Sequence, residues 1–312
     1  MYFILFCSDD THQFFSEAFS FFIAGIGTPC FLAITGYLLY SNDEKRELEK
    51  CRKWAQKCFM LALFCNIVYG IALPVPLSNY TDIMFLLKLL LLGNQICGVL
   101  WYLTALCWGL LIFAVIRKYF PRFIYALPFL FVLLYIVRNT TDPNPLFDFT
   151  IGRLNTNERN SFLTSLTFLS TGYLIRKHYN ALSRIKVEIT AIILLITAFI
   201  EHYCYRHFFG ACGLFHISTY PLIISLFILC IKYSDFKLPL LNHIVKVHSP
   251  NIYYFHILIA STVWCTLPLK GFSDWQAPIV WLMCIPLSMT LIFIRNRAKK
   301  LITRLHEKFR TS

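Results

Sequence analysis

Long apolar runs alternate with short polar segments along the chain. About nine of the runs, at 19–40, 55–75, 98–118, 123–137, 160–176, 186–202, 212–232, 252–268 and 277–295, are long enough or nearly long enough to cross a bilayer as helices. The segments between them differ sharply in charge. Of 29 Lys and Arg, 23 fall in alternate loops and the C-terminal tail. The groups are Lys45 to Lys57, Arg117 to Arg122, Arg176 to Lys186, Lys232 to Lys246, and Arg295 to Arg310. The other loops hold only Lys88, Arg138, Arg153, Arg159, Arg206 and Lys270. The positive-inside rule places the first set and the C-terminus in the cytoplasm. The predicted fold class is all-α, a polytopic transmembrane helix bundle in the plasma membrane.

An odd number of spans with a cytoplasmic C-terminus puts Met1 outside. Residues 1–7, MYFILFC, are apolar, but seven residues reach only about 10 Å, too short to cross. They read as the last turns of a helix, so the expected design is about ten spans with most of the first absent. One membrane domain then covers 1–312, with 1–7 the remnant of its first helix and 296–312 a basic cytoplasmic tail.

Composition narrows the alternatives. Hydrophobic residues make up 57% and charged residues 14%, against about 25% charged in soluble proteins. The net charge of +13 does not indicate nucleic acid, because the basic residues lie in short loops beside apolar runs. There they set orientation and attract anionic membrane lipid. The 12 Cys form no CxxC pair, and most sit inside apolar runs as small hydrophobes. Cys204 and Cys212 lie near the outer face, where a bridge is one alternative.

The polar segments carry their own signals. The stretch 41–57, SNDEKRELEKCRKWAQK, is helix-prone and either extends the following span or lies on the cytoplasmic surface. Residues 83–93 are apolar but short, which fits an interfacial or re-entrant helix. The longest irregular segment is 138–159, with Pro143 and Pro145. The tail has apolar residues at Leu301, Ile302, Leu305 and Phe309, the spacing of a surface-lying helix or of an ordinary solvated end.

Ionisable groups at or inside spans are the first places to look for chemistry, because lipid penalises them. His256 lies about one turn into the eighth run, where an imidazole serves either as a proton acceptor or as an interhelical hydrogen-bond partner. Glu201 and His202 end the sixth run, followed by Tyr203, Cys204, Tyr205, Arg206 and His207. A carboxylate there orients a histidine or holds a substrate hydroxyl; the other reading is an interfacial anchor. His202, Cys204, His207 and Cys212 match no common zinc spacing, so no metal is expected. Asp9, Asp10 and His12 offer a base with its orienter, or a polar terminus. Trp101 and Tyr102 suit an aromatic belt or the face of a sugar. Serine-hydrolase elbows, P-loops and dinucleotide glycine patterns are absent. Asn79-Tyr80-Thr81 and Asn139-Thr140-Thr141 fit a glycosylation pattern in outer loops.

Four segments together resemble the integral-membrane acyltransferase 3 family. They are Phe31-Leu32-Ala33-Ile34-Thr35-Gly36-Tyr37-Leu38-Leu39 after Pro29, Leu100-Trp101-Tyr102-Leu103-Thr104-Ala105-Leu106, Phe168-Leu169-Ser170-Thr171-Gly172-Tyr173-Leu174-Ile175, and Ile252-Tyr253-Tyr254-Phe255-His256. The resemblance implies about ten helices with both ends cytoplasmic. It also implies transfer of an acyl group, often acetyl from acetyl-CoA, to a hydroxyl of a carbohydrate or lipid-linked envelope glycan. The acyl-CoA is the donor substrate, and no bound cofactor is implied. The family's catalytic His lies in the first helix with an Arg upstream. Here Cys7 stands near the expected His position and no Arg precedes it, which leaves open a misassigned start, a degenerate gene or a divergent subfamily. The candidates for catalysis are therefore His256, Glu201 and His12. Those for holding substrate are Trp101, Tyr102, Tyr37, His202 and Arg206. A transporter of a glycan or small solute is the alternative, as is an inactive truncated acyltransferase. Acidic residues are almost absent from the runs apart from Glu201, which counts against a proton-coupled carrier.

Overall fold

The computed structural model describes residues 26–72, 83, 100–132, 162–209 and 217–233, with the side chains of 205–209 excepted, and single positions between Met283 and Arg297. Every regular element among them is helical. In order these are α1 (Thr28–Leu39), α2 (Glu44–Ala72), α3 (Trp101–Tyr119), α4 (Phe162–Lys177), the single turn α5 (Tyr179–Leu182), α6 (Glu188–Phe209) and α7 (Thr219–Lys232). The chain divides into two compact units, Gln13–Ser234 and Met1–His12 with Asp235–Ser312. In the second unit, Thr290 Oγ1 donates to the Pro286 carbonyl at 2.9 Å and Arg297 lies 5.2 Å from the centre of the Phe293 ring. All the named helices belong to the first unit.

The helices keep most of the predicted runs and change their edges. Asp43 starts α2: its carboxylate accepts Lys45 N–H at 3.0 Å and its carbonyl accepts Glu47 N–H at 3.1 Å. The charged stretch 41–57 thus continues the following apolar run in one helix of 29 residues. The run at 123–137 opens differently. Pro121–Tyr125 and Leu127–Phe129 are 3₁₀ turns, and α-helical structure begins at Leu130. Pro121 and Pro128 lack the N–H that an α-helix interior needs. At the other extreme, α6 runs through Tyr203 to Phe209, beyond the expected end at 202. Among the described residues two helices are long and apolar enough to cross a membrane, within Glu44–Ile71 and Trp101–Tyr119, and α1 and α7 are shorter apolar helices.

Helix α4 is the axis of the first unit. Every residue from Thr164 to Tyr173 is buried, so α4 has no solvent-facing stripe. Its hydroxyls close on its own backbone: Thr167 on Leu163 O at 2.9 Å, Ser170 on Thr167 O at 2.9 Å, and Thr171 on Thr167 O at 2.7 Å. Glycine brings α1 against it. A Cβ at Gly36 would overlap the carbonyl oxygen of Leu169 and lie 2.7 Å from its carbonyl carbon. One at Gly172 would overlap the Ala33 carbonyl in the same way, 2.6 Å from its carbon. The two backbones therefore touch directly, as small residues allow between membrane helices.

Side-chain pairs give the helix directions. Tyr40 meets Tyr173 and Arg176 reaches Tyr37, so α1 and α4 end together. Arg117 at the end of α3 reaches Glu44 and Glu47 at the start of α2. Lys232 at the end of α7 pairs with Glu188 at the start of α6. Phe227 packs edge-on against Tyr37, 5.5 Å between ring centres. Lys50, Arg117, Arg176 and Lys232 consequently stand at one end of this unit. The alternation of loop charge corresponds here to a physical end of the bundle.

Outward faces remain apolar. Ile189, Ile192, Ile193, Ile196 and Ile200 form one stripe of α6, each more than half exposed. On α2, Met60, Phe64, Ile67 and Ile71 do the same.

Candidate functional site

The tightest polar construction stands at the basic end, around a carboxylate from the first turn of α2. Glu47 is completely buried. Its Oε2 accepts from Arg117 Nε at 2.7 Å, and its Oε1 accepts from Ser41 N–H at 2.8 Å. The Tyr173 hydroxyl donates to both oxygens, at 3.1 and 3.3 Å. A buried charge is tolerated only when paired and fully hydrogen-bonded, and Glu47 meets both conditions. Arg117 spans outward from it, and its Nη1 lies 3.2 Å from Glu44 at the surface. The rings of Tyr40 and Phe113 each stand edge-on to Tyr173 with centres 5.2 Å apart.

The same corner ties off α1. Lys50 Nζ donates to the carbonyls of Leu38 at 2.9 Å and Leu39 at 3.4 Å, satisfying acceptors that the helix end leaves open. Arg176 Nη1 donates to the Tyr37 hydroxyl at 2.7 Å, and its guanidinium lies 5.0 Å from the Tyr37 ring centre and 5.9 Å from that of Tyr179. Glu188 binds both Lys232 and the Tyr233 hydroxyl, the latter at 2.9 Å. That hydrogen bond, with the carboxylate charge behind it, holds the Tyr233 hydroxyl above the usual tyrosine range. Chemically this end offers cations and tyrosine hydroxyls on a rigid frame.

Of the predicted site residues, Tyr37 belongs to this end. Trp101 and Tyr102 stand at the start of α3, with ring centres 6.4 Å apart. A helix of 19 residues is about 28 Å long, so they and Tyr37 cannot meet one small substrate together. Glu201 lies at the same far end as Trp101. It accepts from the Ile217 N–H at 2.9 Å, the Ser218 N–H at 3.0 Å and the Ser218 hydroxyl, and so holds the approach to α7. His202 is buried beside it. Arg206 continues the same helix. His12 and His256 lie outside the described residues, as do Asp9, Asp10 and Cys212. Cys204 carries a free thiol. Among the described residues no group of His, Cys, Asp and Glu could hold a metal ion.

Sequence reasoning missed Glu47, Arg117 and Tyr173 as a unit. Glu47 is one of four acidic residues between Asp43 and Glu49, and nothing in that stretch marks which of them turns inward. Tyr173 did carry a signal, since it stands in one of the family-like segments.

No curated protein and no solved structure matches the chain. A family model described as an acyltransferase domain matches residues 2–296. The match runs through α1 to α7 and on into the second unit, covering all but the chain's extremities, and by that extent the protein belongs to the acyltransferase 3 family.

Proposed function

We propose that the protein is a polytopic membrane O-acyltransferase that moves an acetyl or other acyl group from acyl-CoA to a hydroxyl of a carbohydrate or cell-envelope glycan. The observation that carries this reading is the family match over residues 2–296, a family that suggests membrane acyltransferase activity. The isoleucine stripe of α6 and the exposed apolar face of α2 support placement in lipid, since soluble surfaces rarely present contiguous apolar faces of that length. In this reading the apolar runs make about nine spans of the plasma membrane, and the charge pattern supports a cytoplasmic C-terminus.

In this reading the donor approaches the basic end, where Lys50, Arg176 and Lys177 draw its phosphates. The acceptor oxygen bonds to the acyl carbon and the carbon–sulfur bond breaks. A histidine takes the hydroxyl proton and passes it to the departing thiolate. His256 is the first candidate for that base and His12 another, while Glu201 at the outer face helps to hold the acceptor. Trp101, Tyr102, His202 and Arg206 hold the acceptor there, while Tyr37 serves the donor side. Membranes containing the protein, incubated with labelled acetyl-CoA and an envelope glycan fraction, should transfer label to glycan. Loss of transfer in His256→Ala with unchanged protein level supports the assignment. No transfer by the wild type, beside an active relative in the same assay, rejects catalysis by this chain.

A further inference from the structure

A groove of about 420 Å³ lies between α2 and α3, running from Arg52, five residues beyond Glu47, to Thr104, two residues after Tyr102. Its mouth is Arg52. Its walls are apolar, among them Phe59, Leu63 and Leu111, which are 43%, 39% and 39% exposed and leave it open sideways. Its far end is closed by Asn66 and Thr104, both buried. From Arg52 to Asn66 is about 21 Å along α2, at about 1.5 Å per residue. One leaflet of a bilayer, headgroups included, is half of about 40–45 Å. With Arg52 at the level of lipid phosphates, the closed end of the groove therefore falls near the membrane midplane.

We propose that this groove seats one acyl chain of an anionic phospholipid, with the lipid phosphate on Arg52. The inference rests on α2 and α3 crossing the bilayer. Charge complementarity selects the headgroup. Arg52 has no ion-pair or hydrogen-bond partner among the described residues. The carboxylate three positions before it, Glu49, is already paired with Lys53 at 2.6 Å. The acetyl donor does not fit this groove, since two carbons cannot occupy an apolar trough of that length. A glycan is the poorer occupant, because the polar side chains that line the groove, Gln56 and Trp108 among them, present little polar surface to it. A lipid chain held here would brace α2 against α3, the two helices whose inner ends form the Glu47–Arg117 pair.

The test is native mass spectrometry of the full chain released from a mild non-ionic detergent, with added phosphatidylglycerol or phosphatidylcholine. The wild type should retain one phosphatidylglycerol in preference to phosphatidylcholine. Arg52→Gln should weaken that retention about fivefold, the effect of one cation at an anionic surface. Leu111→Trp, which fills the groove from its open side, should abolish it. Ile192→Trp, on the exposed stripe of α6, should leave it unchanged. Melting curves identify any variant that fails to fold, and Arg52→Gln, at an exposed position, decides the question if Leu111→Trp is lost. Equal retention by wild type and Arg52→Gln, equal binding of the two lipids, no retention at all, or displacement of the lipid by a long-chain acyl-CoA each overturns the proposal. Alkaline carbonate extraction separates the two possible failures. Release of the protein from membranes undoes the spanning reading itself, whereas a protein that stays in the membrane but retains no lipid undoes only the groove.

Discussion

Replacing Glu47 with Met keeps roughly the length of the side chain and removes its charge and both acceptors. Three donors then lose their partner: Arg117 Nε, the Tyr173 hydroxyl and the Ser41 N–H. Each buried group left unsatisfied costs about 1–3 kcal/mol. Arg117 partly escapes, because it keeps Glu44 and is 19% exposed. The expected loss is therefore about 3 kcal/mol, the lower part of the range for breaking a buried pair. Arg117→Met is the harsher change. It strands a carboxylate with no exposure of its own, and about 4 kcal/mol is expected. The double variant removes both charges and should recover at least about 1.5 kcal/mol relative to the sum of the singles. The assay is the apparent melting temperature in detergent at one heating rate, read as the monodisperse fraction surviving on size exclusion. At about 2–4 °C per kcal/mol, Glu47→Met should melt about 6–12 °C early. A Glu47→Met protein that melts with the wild type, or a double variant as unstable as the sum of the singles, would falsify the claim that this pair pins α2, α3 and α4 together.

Other substitutions probe other parts of the fold. Gly172→Ala should melt well below the wild type, because its Cβ has no space beside Ala33, while Gly27→Ala, with nothing within 4 Å of the new methyl, should melt at or slightly above the wild type. Ser165 is fully buried and its hydroxyl has no partner, so Ser165→Ala should raise the melting temperature or leave it unchanged, with a gain of up to about 1 kcal/mol. Glu201→Gln keeps one acceptor oxygen and should cost about 1 kcal/mol through the approach to α7, and Glu201→Ala should cost more, read from the same melts. If Glu201 also serves catalysis, Glu201→Gln should lower labelled-acetyl transfer by far more than that loss of stability explains.

How much was legible in the sequence varied with the kind of signal. Apolar run length located α1 to α4, α6 and α7, because a helix in lipid must satisfy all its backbone groups internally and so leaves a continuous record. Loop charge ordered their ends, and Lys50, Arg117, Arg176 and Lys232 do gather at one end. Edges were harder. The polar helix start at Glu44 hides in a charged stretch, and Pro128 turns an apolar run into 3₁₀ structure without changing its hydropathy. The buried carboxylate was invisible for a further reason. Glu44, Glu47 and Glu49 are chemically identical, and only the arrival of Arg117 and Tyr173, 70 and 126 residues away in sequence, distinguishes the middle one.

That distance also explains a repeat too short to see. Thr35-Gly36-Tyr37-Leu38 and Thr171-Gly172-Tyr173-Leu174 are four residues each, and in sequence alone such a match carries little weight. In the fold they face each other. Each glycine receives the partner helix's backbone, Gly36 at Leu169 and Gly172 at Ala33. Each following tyrosine then leaves the contact toward a charged side chain, Tyr37 to Arg176 and Tyr173 to Glu47. The glycine allows two parallel helices to touch, and the tyrosine one residue later fixes their rotation at the basic end. Because the two units act on one interface, losing either glycine should be as damaging as losing both. A Gly36→Ala, Gly172→Ala double variant that is far worse than each single would show that the two contacts hold α1 and α4 independently.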